Sequence, residues 1–143
     1  MVVQTGSLTS GKSRGCFQCS VGRRLPEGEG AFNTLYSRYK ANARSRQKEW
    51  GLSKAEAREL FLGTCAYCGV LPSAVYPSGR RHGTMNGVFI YNGIDRIDNA
   101  QGYLLCNCVS CCKMCNFIKQ NLPLEVLREH IFRMTYYMKA EKK

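Results

Sequence analysis

Two C-x2-C pairs carry the clearest chemistry in this chain. Cys65 and Cys68 bracket Ala66 and Tyr67, and Cys112 and Cys115 bracket Lys113 and Met114. The spacing lets two thiolates from one tight turn reach a single ion. Two such pairs make a closed tetrahedral site of four thiolates, the structural kind of zinc site with no position left for substrate. Forty-three residues separate Cys68 from Cys112, so the ion would clamp the base of a long inserted unit rather than a compact finger. A structural zinc contributes on the order of 10–16 kcal/mol in small peptides, enough to decide folding at this size.

A third pair, Cys16 and Cys19 in CFQC, has no matching partner pair nearby, and Cys106, Cys108 and Cys111 are left over. Some of these could complete a second zinc site; buried free thiols are the alternative, because unpaired cysteine behaves as a small apolar residue. On a strand, Cys106 and Cys108 would share one face, with Asn107 on the other. Nine cysteines without an apolar leader-like segment point to metal binding in a reducing, intracellular compartment rather than to disulfides. No stretch approaches the length of a membrane span.

The elements that must hold these residues are legible in outline. Residues 1–15 are rich in Gly, Ser and Thr and read as a flexible tail. Phe32, Leu35, Tyr36 and Tyr39 recur at helical spacing and predict a helix from Ala31 to about Lys48. Ser53 with Glu56 forms a capping-box signature for a second helix reaching about Phe61. Between residues 72 and 93, Pro, Gly and Ser surround VFIY, which suggests a β-hairpin with a strand at about 87–92. Tyr103 to Val109 is the expected returning strand. A short helix should open near Cys112 and carry Cys115, Asn116 and Lys119. Pro123 suits the first turn of a last helix, about 123–140, whose apolar stripe is Leu124, Leu127, Ile131, Met134 and Met138. That stripe reads as core or dimer contact. No internal repeat or second-domain boundary interrupts residues 16–143.

Lys plus Arg number 21 against 10 Asp plus Glu, a net charge of +11, which favours an anionic partner, nucleic acid above all. Arg38, Lys40, Arg44, Arg46 and Lys48 form a run with no acid among them. On one helix it could track a phosphate backbone, or it could be a solvated face.

Between the two cysteine pairs the order is strand, turn, strand, helix. NGIDRIDN is followed by GY, then Asn107, CCKMCN and Lys119. This stretch resembles the HNH nuclease motif, also called the ββα-metal finger, and GEGAFNTLYSRYKANARSRQKEWGLS upstream is similar to the helical region of phage and environmental HNH proteins. The resemblance covers about residues 27–122. It implies a small zinc-stapled α+β domain with a central, treble-clef-like ββα unit at about 86–121, flanked by helices. It implies an endonuclease that hydrolyses DNA, double-stranded by expectation, to 5′-phosphate and 3′-hydroxyl ends with Mg²⁺ or Mn²⁺, in a bacterial or phage-infected cell.

The resemblance also implies roles. Asp95 takes the place of the metal-binding carboxylate, and Asn116 that of the second ligand to the same hard divalent ion. Asn107 takes the middle position, which supports the catalytic group. Arg96 stands where many members have the general-base histidine; an arginine stays protonated and is a poor base, but it could grip the scissile phosphate. That leaves the base to Tyr67 first and His82 second, with Tyr91 and Tyr103 behind them. Lys119 is a further phosphate contact. Asp98 and Asn99 shape the turn after the strand. A homodimer would let two such sites cut both strands. The competing reading is a non-catalytic zinc-containing module that binds nucleic acid through the helix at 31–48.

Overall fold

The computed structural model describes residues 25–77 and 87–140. The expected tail, Cys16, Cys19 and His82 lie outside the described residues. The elements run α1 (Glu29–Ser45), α2 (Lys54–Leu62), β1 (Ala74–Pro77), β2 (Val88–Tyr91), β3 (Gly93–Arg96), β4 (Cys108–Cys111), α3 (Lys113–Lys119) and α4 (Leu124–Ala140). The fold is mixed helix and strand, with two small antiparallel sheets, β1 with β2 and β3 with β4. Among the described residues no helix is long and apolar enough to cross a membrane.

The start of α1 is set by Gly28, whose φ of 75° lies in the left-handed region. A Cβ there would stand 2.7 Å from the Val88 carbonyl oxygen, so both conformation and space require glycine. The helix ends at Ser45, short of the expected Lys48. Gln47 turns left-handed at φ 54°, and the Lys48 N–H donates back to the Ala43 carbonyl at 2.9 Å, which closes the helix in the manner of a Schellman cap. The capping box of α2 forms as expected: the Glu56 N–H donates to Ser53 Oγ at 3.2 Å, and the Ser53 N–H to Glu56 Oε2 at 2.7 Å.

The core is aromatic and joins both helices to both sheets. Phe32 and Leu35 of α1 meet Phe61 of α2, Phe89 of β2 and Ile94 of β3. Phe61 meets Phe32, Phe89, Tyr39 and Tyr91 edge-on, an arrangement that aromatic quadrupoles favour. Arg58 lies 3.8 Å from the Phe32 ring centre and pairs with Glu29, so a cation closes the outer side of the core.

The hairpin expected between 72 and 93 forms, with β2 as the strand expected at about 87–92 and β1 as its partner; what the expectation lacked is a separate strand, β3, in the other sheet just past Asn92. The Asn92 N–H donates to the Phe61 carbonyl at 2.8 Å, and its side-chain amide donates to the Gly63 and Val70 carbonyls at 2.9 and 3.2 Å. This buried residue turns the chain from one sheet to the other while tying it to the end of α2. The returning strand also differs from expectation. Residues Leu105–Asn107 form a 3-10 turn, and the strand paired with β3 is Cys108–Cys111. Cys106 is exposed and Cys108 buried, so the two do not share a face. Tyr103 instead bridges to Trp50, its N–H donating to the Glu49 carbonyl at 2.8 Å.

Pro123 opens α4, its carbonyl accepting from the Leu127 N–H at 3.1 Å. Of the apolar stripe only Leu127 is buried; Ile131, Met134 and Met138 are exposed. The stripe is therefore not core of this chain.

Candidate functional site

The two C-x2-C pairs meet. The sulfurs of Cys65, Cys68, Cys112 and Cys115 all lie within 4.8 Å of one another. Cys68 and Cys112 are 3.8 Å apart. A tetrahedron with metal–sulfur bonds of about 2.3 Å has edges of about 3.8 Å, so the donor set and its spacing fit an ion such as zinc. These four cysteines could hold a metal ion. Local structure explains how. The first pair spans a tight turn closed by the Gly69 N–H on the Cys65 carbonyl at 2.8 Å, with Gly69 left-handed at φ 73°. The second pair opens α3, where Cys112 caps the helix and its sulfur accepts from the Cys115 N–H at 3.4 Å. The turn is pinned to β4 by the Ala66 N–H on the Ser110 carbonyl at 2.9 Å. Burial pushes the Cys65 thiol up, but backbone N–H groups of Cys112, Tyr67 and Cys68 outweigh it and bring the thiol down to about 6.

The remaining described cysteines stand outside this cluster. Burial pushes the Cys108 thiol up to about 12 and the Cys111 thiol up as well, which is the behaviour of apolar core thiols. Neither they nor exposed Cys106 joins a second metal-binding group among the described residues.

Tyr67 lies between the ligands of the first pair and points at β3. Its hydroxyl donates to Asp95 Oδ2 at 2.7 Å. Lys119, the last residue of α3, brings its Nζ to the same oxygen at 3.1 Å and donates to the Arg96 carbonyl at 2.9 Å. Lys119 is fully buried and Asp95 is 6 % exposed, so this is an internal ion pair. One carboxylate oxygen is thus held by a phenol and an ammonium, while Oδ1 accepts from no described residue. Lys119 is expected as a phosphate contact, but a buried ammonium cannot meet a phosphate without abandoning Asp95. Burial and the Asp95 carboxylate both push the Tyr67 hydroxyl up, keeping it a proton donor. Tyr67, expected first as the general base, thus stands as a hydrogen-bond donor to Asp95. Burial pushes Tyr91 up too, which argues against it as a base in the same way. Tyr103 packs against Trp50, with ring centres 5.1 Å apart.

Asp95 and Asn116 face one hollow of about 240 Å³, lined also by Arg46, Arg96, Asn99 and Gln120. Asn116 is half-buried on α3, and no described residue hydrogen-bonds its side chain. Arg96 is less available than expected for a phosphate. Its Nη1 donates to the Asn99 and Gln101 carbonyls at 3.1 and 2.7 Å, and its guanidinium lies 5.1 Å from the Tyr103 ring centre. Asn107 does not reach the hollow. Its Oδ1 accepts from the Asp98 N–H at 2.9 Å, and its amide donates to the Asp98 and Gly102 carbonyls at 3.0 and 2.9 Å. Those bonds hold the turn that follows β3. Asp98 and Asn99 behave as expected too: Asp98 accepts from the Ala100 N–H at 2.8 Å, and the Asn99 amide donates to the Gln120 carbonyl at 3.2 Å.

The basic run divides. Arg38 and Arg46, with Asn42 between them, line a second hollow of about 270 Å³ that shares Arg46, Ile94, Tyr103 and Asn116 with the first. Lys40, Arg44 and Lys48 line a separate, more open depression beside Trp50. Sequence reasoning missed Asn42, Gln120 and the division itself. The division has a sequence signal: positions two apart on a helix stand about 200° apart at 3.6 residues per turn.

The chain is 33 % identical over 125 residues to Uncharacterized protein R423 of Acanthamoeba polyphaga mimivirus. That match takes in 82 % of this chain and 21 % of the viral protein, so the chain spans about a fifth of its relative's length. No family model and no solved structure matches the chain.

Proposed function

We propose that this protein is a metal-dependent DNA endonuclease of the HNH, or ββα-metal, type. The observation that carries the reading is the meeting of Asp95 and Asn116 in one hollow, directly beside the four-cysteine cluster. Both offer hard oxygen donors, and Asp95 Oδ2 is already occupied, which leaves Oδ1 for a cation. The donor set suits Mg²⁺ or Mn²⁺ held with several waters. Such an ion supplies neutralisation of the charge that grows on phosphate oxygens in the transition state.

The chain's own residues do the rest. Tyr67 and Lys119 fix the Asp95 carboxylate from behind. The β3–β4 pairing sets Asp95 opposite Val109, and α3 follows directly, so strand–strand–helix succession presents Asp95 and Asn116 together. Asn107 braces the turn between the strands. Arg96 braces the same turn and is not a base. Among the described residues no histidine lines either hollow.

The same residues support one other reading, a nucleic-acid-binding module without cleavage, because among the described residues no histidine stands beside Asp95. Incubation of supercoiled plasmid with Mg²⁺ or Mn²⁺ separates the two. Nicked or linear product that needs the added ion and disappears in Asn116→Ala supports the nuclease. Equal product from Asn116→Ala, or none from folded wild-type protein on varied DNA, sinks it.

A further inference from the structure

We infer that the face of α1 carrying Arg38 and Arg46, and not the face carrying Lys40, Arg44 and Lys48, is the phosphate-backbone contact that lays a DNA strand over Asp95 and Asn116. The inference rests on the nuclease reading for what happens to the strand, but its geometry is independent of cleavage.

Three observations carry it. The two hollows adjoin, sharing Arg46, Ile94, Tyr103 and Asn116, and together make a trough to which the first hollow brings Arg38 and the second brings Asp95. Arg38 and Asn42 on α1 and Arg46 at its C-cap succeed each other every four residues, about 12 Å from first to last at the helical rise. On one strand of a duplex, that length corresponds to about three phosphates at 3.4 Å of axis each. Second, the trough is electropositive where it needs to be. Arg38 and Arg46 are exposed, and neither forms an ion pair with a described carboxylate. The one carboxylate in the trough, Asp95, is countered by Lys119 at 3.1 Å. Guanidinium groups also bind phosphate through two parallel hydrogen bonds, which a lysine cannot do.

Third, the other face of α1 is poorly placed for the task. Lys48 Nζ is tied to the Ala100 carbonyl at 2.8 Å, and Glu49 lines the same depression. Neither Asp95 nor Asn116 lines that depression. Arg46 therefore takes the phosphate-gripping part that Arg96 and Lys119 cannot, since both are held by protein partners.

The test is binding of a labelled duplex by fluorescence anisotropy, without added Mg²⁺ or Mn²⁺, across a series of salt concentrations. Wild-type protein is compared with Arg38→Gln, Arg46→Gln, Lys40→Gln and Arg44→Gln. All four side chains are exposed, so the folds should survive; circular dichroism checks this. Loss of one phosphate contact flattens the slope of log affinity against log salt by about 0.9. Arg38→Gln and Arg46→Gln should each show that change, and Lys40→Gln and Arg44→Gln should not. Equal flattening by all four, flattening only by Lys40→Gln and Arg44→Gln, or no duplex binding by wild type would overturn the inference. Plasmid cleavage by Asn116→Ala, run beside it, reports on the nuclease reading alone. A protein that binds through Arg38 and Arg46 yet never cleaves would end that reading and keep the trough.

Discussion

Lys119 Nζ and Asp95 Oδ2 stand 3.1 Å apart inside the protein, the lysine with no exposed surface at all. The pair joins the end of α3 to β3 and so fixes the hollow's two oxygen donors relative to each other. Removing one charge leaves the other buried without its partner, which is costlier than losing the pair whole. Lys119→Met should therefore destabilise the fold by about 3 kcal/mol, at the low end for a broken buried pair because Asp95 keeps the Tyr67 hydrogen bond. The double variant Asp95→Asn/Lys119→Met should recover most of that loss. Urea unfolding of the metal-loaded proteins reads both. Equal stability of Lys119→Met and wild type would mean the ammonium reaches solvent after all.

Tyr67→Phe keeps the ring and deletes only the hydroxyl that meets Asp95. A hydrogen bond to a charged group is worth about 1.5–3 kcal/mol when buried, and this half-buried one should cost about 1 kcal/mol. Because the folded-state value is raised above the unfolded one, the hydroxyl's contribution is complete below about pH 10 and is lost only as pH rises towards the folded value. The stability gap between Tyr67→Phe and wild type should thus be constant from pH 6 to 9. Plasmid cleavage by Tyr67→Phe should fall in rate yet keep the wild-type pH dependence. Disappearance of an alkaline-side rise in the variant would restore Tyr67 as the base.

Each of Cys65, Cys68, Cys112 and Cys115 contributes one sulfur to the cluster, so Cys→Ser at any of them should reduce bound zinc and lower the unfolding temperature. Cys106→Ser, exposed and outside the cluster, should change neither. Native mass spectrometry counts the ions directly. Undiminished metal in Cys112→Ser would show that the ion sits elsewhere.

Local signals in the sequence carried well. The C-x2-C turns and the Ser53–Glu56 box are short-range devices whose partners lie within three residues, so spacing alone reveals them. Most of the failures are long-range; the early end of α1 at Ser45 is the local one. The returning strand expected from Tyr103 starts instead at Cys108, because nothing local says that Tyr103 will bridge to Trp50 and bond the Glu49 carbonyl. Lys119 looks like a surface cation because its burial depends on Asp95, twenty-four residues earlier. Tyr67 looked like a base because its hydrogen-bonding partner was invisible. The apolar stripe of α4 was periodic enough to suggest burial, yet a period records only that one face differs from another, not what covers it.

Tyr67 belongs both to the turn that presents Cys65 and Cys68 and to the carboxylate at the floor of the hollow. The four-sulfur cluster and Asp95 are therefore linked in series by one side chain, and α3 links them a second time through Cys115, Asn116 and Lys119. The aromatic core around Phe32, Phe61 and Phe89 is not part of that chain. A sample short of metal would keep its aromatic core and α1 with the arginines it carries, while Asp95 and Asn116 lost their registration. It would look healthy by spectroscopy and in a gel shift, so ion content has to be assayed before an idle preparation is taken for an idle protein.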